Sequence, residues 1–453
     1  MAAGDLFGAR REAEAIVVGS ATAAERAAAH LVLAACAERE GDAADALGHA
    51  RSAVACTPRD PVAHYACAEL QEATGDVSGA MASLERALAL EPRFARALRY
   101  LGILRGESGD ATGALAALER AVALEPGHPQ AWNNLGNVQR TLGRLAEAEA
   151  SFSRALALKP DYALAASNLG EVQRDQGEVE RAEATLRAAL ARRGAAPYRP
   201  IVVLLAGLMR ERGALDEAKA LYERAIELGP AESGGQWFSL GWIHTERNEP
   251  QRAREAYRRS RELDPGDLRN RLGMHLTLPM IYADAGEIAS ARADFATGLE
   301  ALEGELPSAL AGLPEARVLD GLRWSNFFLA YQGEDDRDLQ AAYGALAGRV
   351  VAAGAPAWRE PLARRATSHR MRVGFASAFF HVGTCGRYFK SWITELDRDR
   401  FEVFVYHLFP GKDEVASAIA ARADTFRAFG GTRARPSIVA PAIRDDALDV
   451  LVY

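Results

Sequence analysis

Between about residue 27 and residue 303 one arrangement of small, bulky and helix-breaking residues returns roughly every 34 positions. Prolines stand at 58, 92, 126 and 160, each 34 residues after the last, and then at 230 and 265. Seventeen residues before each of these points, and before the end of a proline-less fifth unit at Gly194, stand Gly41, Gly75, Gly109, Gly143, Gly177, Gly213 and Asn248. Twelve before stand Ala46, Ala80, Ala114, Ala148, Ala182, Ala218 and Ala253. Eight before stand Ala50, Leu84, Leu118, Phe152, Leu186, Tyr222 and Tyr257. Two antiparallel helices per unit, A then B, account for the pattern. Alanine lets helix B close on helix A and the bulky residue one turn later fills the groove. The glycine makes the turn between them, and proline ends helix B.

The units run over 27–60, 61–94, 95–128, 129–162, 163–196, 199–232 and 234–267. An eighth, degenerate hairpin is expected over 272–303, where Gly286, Ala291 and Phe295 keep the register while Pro279 interrupts helix A. Residues 1–26 form an N-terminal cap with a helix over 8–24. Trp132, Leu135 and Gly136 complete a helix A signature that matches the tetratricopeptide repeat. Stacked repeats of this kind make a concave groove that takes extended peptide or protein partners. Asn134 and Asn168 occupy the same position of helix A in consecutive repeats, where Val32, Ala66, Tyr100, Leu204 and Ser239 stand elsewhere. Two amides there either hold a passing peptide backbone or belong to a solvated helical face.

The period then changes. Leu306 to Ala316 breaks the repeat, and a helical connector is expected from Arg317 to Val351, closed by Gly354-Ala355-Pro356, so that 304–370 is a linker. Arg364, Arg365, Arg370 and Arg372 read as a solvated basic run. Beyond them strands at Met371–Ser377, Phe401–Leu408 and Asp449–Tyr453 alternate with helices over Tyr388–Leu396, Glu414–Phe426 and 441–448. Strand–helix alternation implies a parallel, Rossmann-like sheet over 371–453, with ligands at the C-terminal ends of its strands. Three strands, the last without its following loop, lead us to expect a chain truncated within that sheet.

Composition narrows the function. Apolar residues make up 49% and charged residues 25%, which excludes wholesale disorder and collagen-like structure. A net charge of -7 argues against nucleic acid as the partner. Only Lys159, Lys219, Lys390 and Lys412 are lysines among 54 basic residues, the bias of a GC-rich, bacterial genome. Cys36, Cys56, Cys67 and Cys385 show neither disulfide nor metal-ligand spacing. The N-terminus has no signal-peptide layout and no run of apolar residues is long enough to span a membrane, so a cytoplasmic location without membrane partners or metal is expected.

The repeats are followed by Ser325-Asn326-Phe327-Phe328-Leu329-Ala330-Tyr331, then by the Met371–Gly383 segment (MRVGFASAFFHVG) and Asp397–Tyr406 (DRDRFEVFVY). In this order the segments resemble the O-GlcNAc transferase and SPINDLY family of glycosyltransferases over almost the entire chain. The resemblance implies an all-α tetratricopeptide superhelix followed by an incomplete GT-B type half. It also implies sugar transfer from a nucleotide donor, UDP-GlcNAc or GDP-fucose, to Ser or Thr of a protein lying along the repeats. It places His381 in the loop facing the transfer cleft. The family's loop reads roughly Asp-Phe-x-x-His, and Ala378-Phe379-Phe380-His381 lacks the acid. The family's second half, with its donor pocket and lysine, is not in this sequence, so the chain is expected to be inactive alone. No cofactor beyond the sugar donor is implied.

Gly383 and Gly386 flank Thr384-Cys385 and either let backbone amides approach a sugar or phosphate, or make an ordinary turn. His381 itself is either an acid-base group or a loop histidine holding a carbonyl. His407 reads as a polar strand-end residue, and Cys385 lacks the local base of a nucleophile. The alternative to an enzyme is a non-catalytic adaptor whose repeats recruit proteins.

Overall fold

The computed structural model describes residues 3–193, 198–324, 326–359, 370–409, 411, 413–429 and 434–452. The chain divides into two compact units, Met1–Val172 and Gln173–Tyr453. Among the described residues no helix is long and apolar enough to cross a membrane.

In the first unit a capping helix, Ala3–Val18, precedes paired helices Ala23–Glu40 with Ala43–Cys56, Pro61–Ala73 with Val77–Leu90, Ala95–Glu107 with Ala111–Leu124, and Pro129–Thr141 with Leu145–Leu158. The Gly-Asp sequence between helices explains why the first three pairs turn where they do; the fourth turns at Gly143-Arg144. Gly41, Gly75 and Gly109 sit at φ between 83° and 87°, a left-handed conformation that only glycine adopts freely. The next residue, Asp42, Asp76 or Asp110, caps helix B by accepting from the N–H three residues on. The same pair of backbone bonds closes every turn, as in Asp42 N–H to the Ala37 carbonyl and Arg144 N–H to the Gln139 carbonyl.

The small–large alternation is the packing itself. Ala46, Ala80, Ala114 and Ala148 are fully buried, as are Ala50, Leu84, Leu118 and Phe152 four residues later. Phe152 fills helix A at Gly136, where an added Cβ would fall 2.7 Å from its ring.

The second unit continues the pattern with Val179–Arg193, Arg199–Glu211, Leu215–Leu228, Gly234–Glu246 and Pro250–Leu263. At its last turn Asn248 replaces glycine at φ 56°. Asparagine tolerates that conformation, and its side chain is needed: Oδ1 accepts from Met280 and Ile281 N–H while Nδ2 donates to the Ile281 carbonyl. It ties down the stretch where Pro279 cuts short the eighth helix A, Leu268–Leu276. The partner helix, Ala285–Leu310, does not break at Leu306 as expected, but runs on through Pro307. Phe295, Leu299 and Leu302 bury its face against Leu329 and Leu346 of the connector.

That connector is not one helix over Arg317–Val351. It forms Glu315–Gly321, a 3-10 turn at Phe327–Gln332 and Arg337–Gly354. Gly333, at φ 73°, ends the middle piece. Ser325 of the connector motif, Gly194, Arg364 and Arg365 of the basic run, and Tyr453 lie outside the described residues. Arg370 and Arg372 are not solvated linker: they pair with Asp424 and Glu402 of the sheet at 3.0 and 2.9 Å.

Among the described residues the sheet has four parallel strands rather than three, β1 (Met371–Ser377), β2 (Phe401–His407), β3 (Thr425–Ala428) and β4 (Val450–Val452), in the order β3-β2-β1-β4. The helix expected to reach Phe426 stops at Arg422. Asp424 then accepts from the Val403 N–H at 2.9 Å, and the chain joins the ladder beside β2. The helix expected over 441–448 spans Pro436–Asp445, with Pro436 in its first turn, where its missing N–H costs nothing. Along β2, Val403 and Val405 pack on one face and Phe404 and Tyr406 on the other, so the sheet is covered on both sides, as parallel strands require. A small parallel sheet thus follows the repeats.

We expect Gly136→Ala to destabilise the first unit by about 1–3 kcal/mol, because the methyl group overpacks against Phe152. Urea unfolding followed by circular dichroism checks this, and an unchanged midpoint contradicts the packing.

Candidate functional site

Two groups of side chains have the chemistry of a site, and each lies within one unit. In the first unit, helix A of the fourth repeat is anchored at its start by Trp132, whose Nε1 donates to the Pro126 carbonyl at 2.9 Å, and by His128, whose ring caps the Ala131 N–H. Asn133, Asn134 and Asn137 follow on this helix.

Asn168, on the next helix A, is buried and its Nδ2 donates to Asn133 Oδ1 at 3.0 Å. Asn133, buried in turn, reaches Asn134 Oδ1 at 3.5 Å. The structure therefore does not present Asn134 and Asn168 as two equivalent rungs. Asn168 is spent on the interior, and the half-buried Asn134 is the outward end of a three-amide chain. Asn137, one turn on, has an Oδ1 with no hydrogen-bond partner among the described residues. Sequence reasoning missed Asn133 and Asn137. The available signal was three asparagines within five residues of a helix that asparagine disfavours.

The second group is the loop leaving β1. Ser377 ends the strand and its Oγ accepts from the Phe379 N–H at 3.1 Å, which starts the turn. The His381 ring stacks on Phe409, with centroids 4.5 Å apart, and its Nδ1 donates to the Val382 carbonyl at 3.2 Å. The Val382 N–H donates to the carboxylate of Asp413, which also caps the helix Glu414–Arg422 through the N–H groups of Val415 and Ala416. A carboxylate from beyond β2 thus stands at the His381 loop. Desolvation opposes its charge, but the N–H bonds from Ala416, Val382 and Val415 and the nearby His381 outweigh that and hold its carboxyl below the usual 3.8.

The two glycines part company. A Cβ on Gly386 would fall 1.9 Å from the His381 carbonyl oxygen, so that glycine lets the helix Thr384–Thr394 press against its own loop, and its space is not open to a ligand. Gly383 has φ 171°, extended backbone open to any residue. Cys385 is exposed. His407 is buried, its Nε2 donating to the Gly411 carbonyl at 3.0 Å. The strand order reverses between β1 and β4, and such a switch point is where open α/β sheets take ligands. His381 follows β1 at that point.

The tetratricopeptide repeat profile matches residues 101–163, 141–200, 167–233 and 208–267. Those segments are tetratricopeptide repeats, as the turns and packing above require. The chain is similar to solved structures of MamA from Desulfovibrio magneticus, at 20% identity over 38% of this chain and 97% of that one, with a TM-score of 0.36. It is similar to PilF of Pseudomonas aeruginosa at 22% identity, over 49% and 94% of the two chains, with a TM-score of 0.40. A tetratricopeptide repeat protein from Parabacteroides merdae aligns at 18% identity, over 55% and 98%, with a TM-score of 0.44. No curated protein matches the chain in sequence.

Because the folded pKa of Asp413 is depressed, its bonds stabilise the loop fully above the unfolded carboxyl range, near pH 4, and fade as pH falls through the lower folded value. Asp413→Asn keeps an oxygen to cap the helix and loses the charge. Its thermal midpoint should lie below that of the parent at pH 7, and the gap should narrow as the pH falls below about 4. A gap independent of pH contradicts the role of the charge.

Proposed function

We propose that this protein is a protein-interaction scaffold whose repeats hold an extended segment of a partner against the helix A face. Asn134 carries the reading. Its amide is oriented by the Asn168 and Asn133 chain, and among the described residues its own Nδ2 makes no hydrogen bond. An amide held this way offers a donor to a backbone carbonyl and recognises main chain rather than sequence.

A second reading is that the C-terminal sheet is one half of a sugar-transferring enzyme, as the resemblance to O-GlcNAc transferases implies. The His381 loop favours it, since an imidazole and the Asp413 carboxylate stand together at a topological switch point. His381 would assist proton transfer from the acceptor hydroxyl, and UDP-GlcNAc would be the donor. Titrating UDP-GlcNAc and GDP-fucose into the protein by calorimetry tests this, together with an assay for sugar transfer. Neither binding nor transfer would leave the scaffold alone.

The scaffold reading is tested by selecting unstructured peptides on the purified protein and measuring one by fluorescence anisotropy. Asn134→Ala should weaken it about 2- to 10-fold, the worth of one hydrogen bond, with little change in thermal midpoint. Asn168→Ala should instead lower stability by about 1–3 kcal/mol, by leaving the Asn133 oxygen buried and unpaired. Equal effects of the two on both measurements would sink the assignment.

A further inference from the structure

The second unit contains a cavity of about 630 Å³ that neither reading uses. Phe238, Trp242 and Tyr257 of the seventh repeat form one wall, Trp324 and Phe328 of the connector another, and Phe379 of the β1 loop stands at the edge, 60% exposed. The walls are tied to one another. Phe238 and Tyr257 are 5.4 Å apart between ring centroids, and Trp324 meets Tyr257 edge-on at 5.9 Å. Arg269 stacks on Phe238 at 4.5 Å and Arg210 on Trp242 at 5.5 Å. Rings packed this way do not collapse into the space between them, and the volume lies in the range of ligand pockets.

Three polar groups decide what fits. Trp324 Nε1 is buried and has no hydrogen-bond partner among the described residues, a donor that lacks an acceptor. Glu246 and Arg323 both line the cavity, and neither has an ion-pair partner among the described residues; the hydrogen bond of Arg323 goes to the Asp320 carbonyl. Glu246 in the lining opposes a phosphate or nucleotide, and the rings favour an apolar, aromatic occupant. The register supplies the remaining argument. Counting along helix A, Phe238 and Trp242 stand at the positions that Asn133 and Asn137 hold in the fourth repeat. The same helix A positions thus change from amides to aromatic rings in the seventh repeat.

We propose that this cavity receives an aromatic side chain of the bound partner segment, with the Trp324 indole N–H donating to a carbonyl of that residue's backbone. The pocket would set which stretch of a partner is held beside the His381 loop. This rests on the scaffold reading and adds a specificity to it.

The test is saturation-transfer NMR with N-acetyl-phenylalanine amide and N-acetyl-serine amide as probes. The phenylalanine probe should receive saturation and the serine probe little, and a titration should give a Kd on the order of 1 mM. Phe379→Ala removes an exposed ring with small risk to the fold and should weaken the phenylalanine probe at least about fivefold. Trp242→Ala, checked for folding by circular dichroism, should abolish its signal. Phe7→Ala, an exposed aromatic outside the cavity, should change nothing. Equal saturation of both probes, or an undiminished signal in Phe379→Ala and folded Trp242→Ala, overturns the proposal. So does preferential binding of methyl β-glucoside. If Asn134-dependent peptide binding persists in that case, only the pocket is lost; if it is absent too, the scaffold reading falls with it.

Discussion

A ring or branched chain on helix B pressed against a glycine on helix A is the contact on which the repeats depend. Phe152 against Gly136, Leu118 against Gly102 and Tyr257 against Gly241 are the same arrangement in three repeats. Because no Cβ intervenes, the two helices approach closely, and the buried alanine one turn before the bulky residue closes the remaining gap. The spacing of the hairpins follows from this approach, and with it the positions at which neighbouring helices A meet. The reach of Asn168 to Asn133, across 35 residues, is possible because that spacing repeats.

The same packing explains where chemistry can gather. Within a repeat the interior positions are spoken for, so variation falls on the face of helix A that turns away from helix B. In the fourth and fifth repeats that face has amides, two of them, Asn133 and Asn168, buried and bonded to each other. In the seventh it has aromatic rings stiffened by stacked guanidinium groups. Hydrogen bonding to main chain tolerates many sequences, whereas a ring-lined cavity selects for shape and apolar surface.

The sheet obeys a different constraint. Its central strands β1 and β2 are buried on both faces, so ligand chemistry there is confined to the loops at the strand ends. The β1 loop is held at several points, by Ser377 at its start, Phe409 under the imidazole and Asp413 at Val382. Gly386 permits this by letting the following helix lie against the loop's carbonyl groups. A glycine pair that looks like a ligand cradle is here an internal packing device.

Much of this was legible in the chain alone. The repeat period, the turn glycines, the buried alanines and the strands β1 and β2 are local patterns, set by helix and strand periodicity and by the backbone freedom of single residues, and they stand where the pattern puts them. Tertiary structure decided what depends on partners distant in sequence. Thr425–Ala428 is a strand because β2 offers it a ladder, and Ala285–Leu310 runs through Pro307 because the connector buries its face. Asn168 turns inward because Asn133 waits 35 residues earlier, and the acid beside His381 is Asp413 because a helix N-terminus is packed there. Periodicity records which face of an element is buried, and only the folded chain decides what that face is buried against.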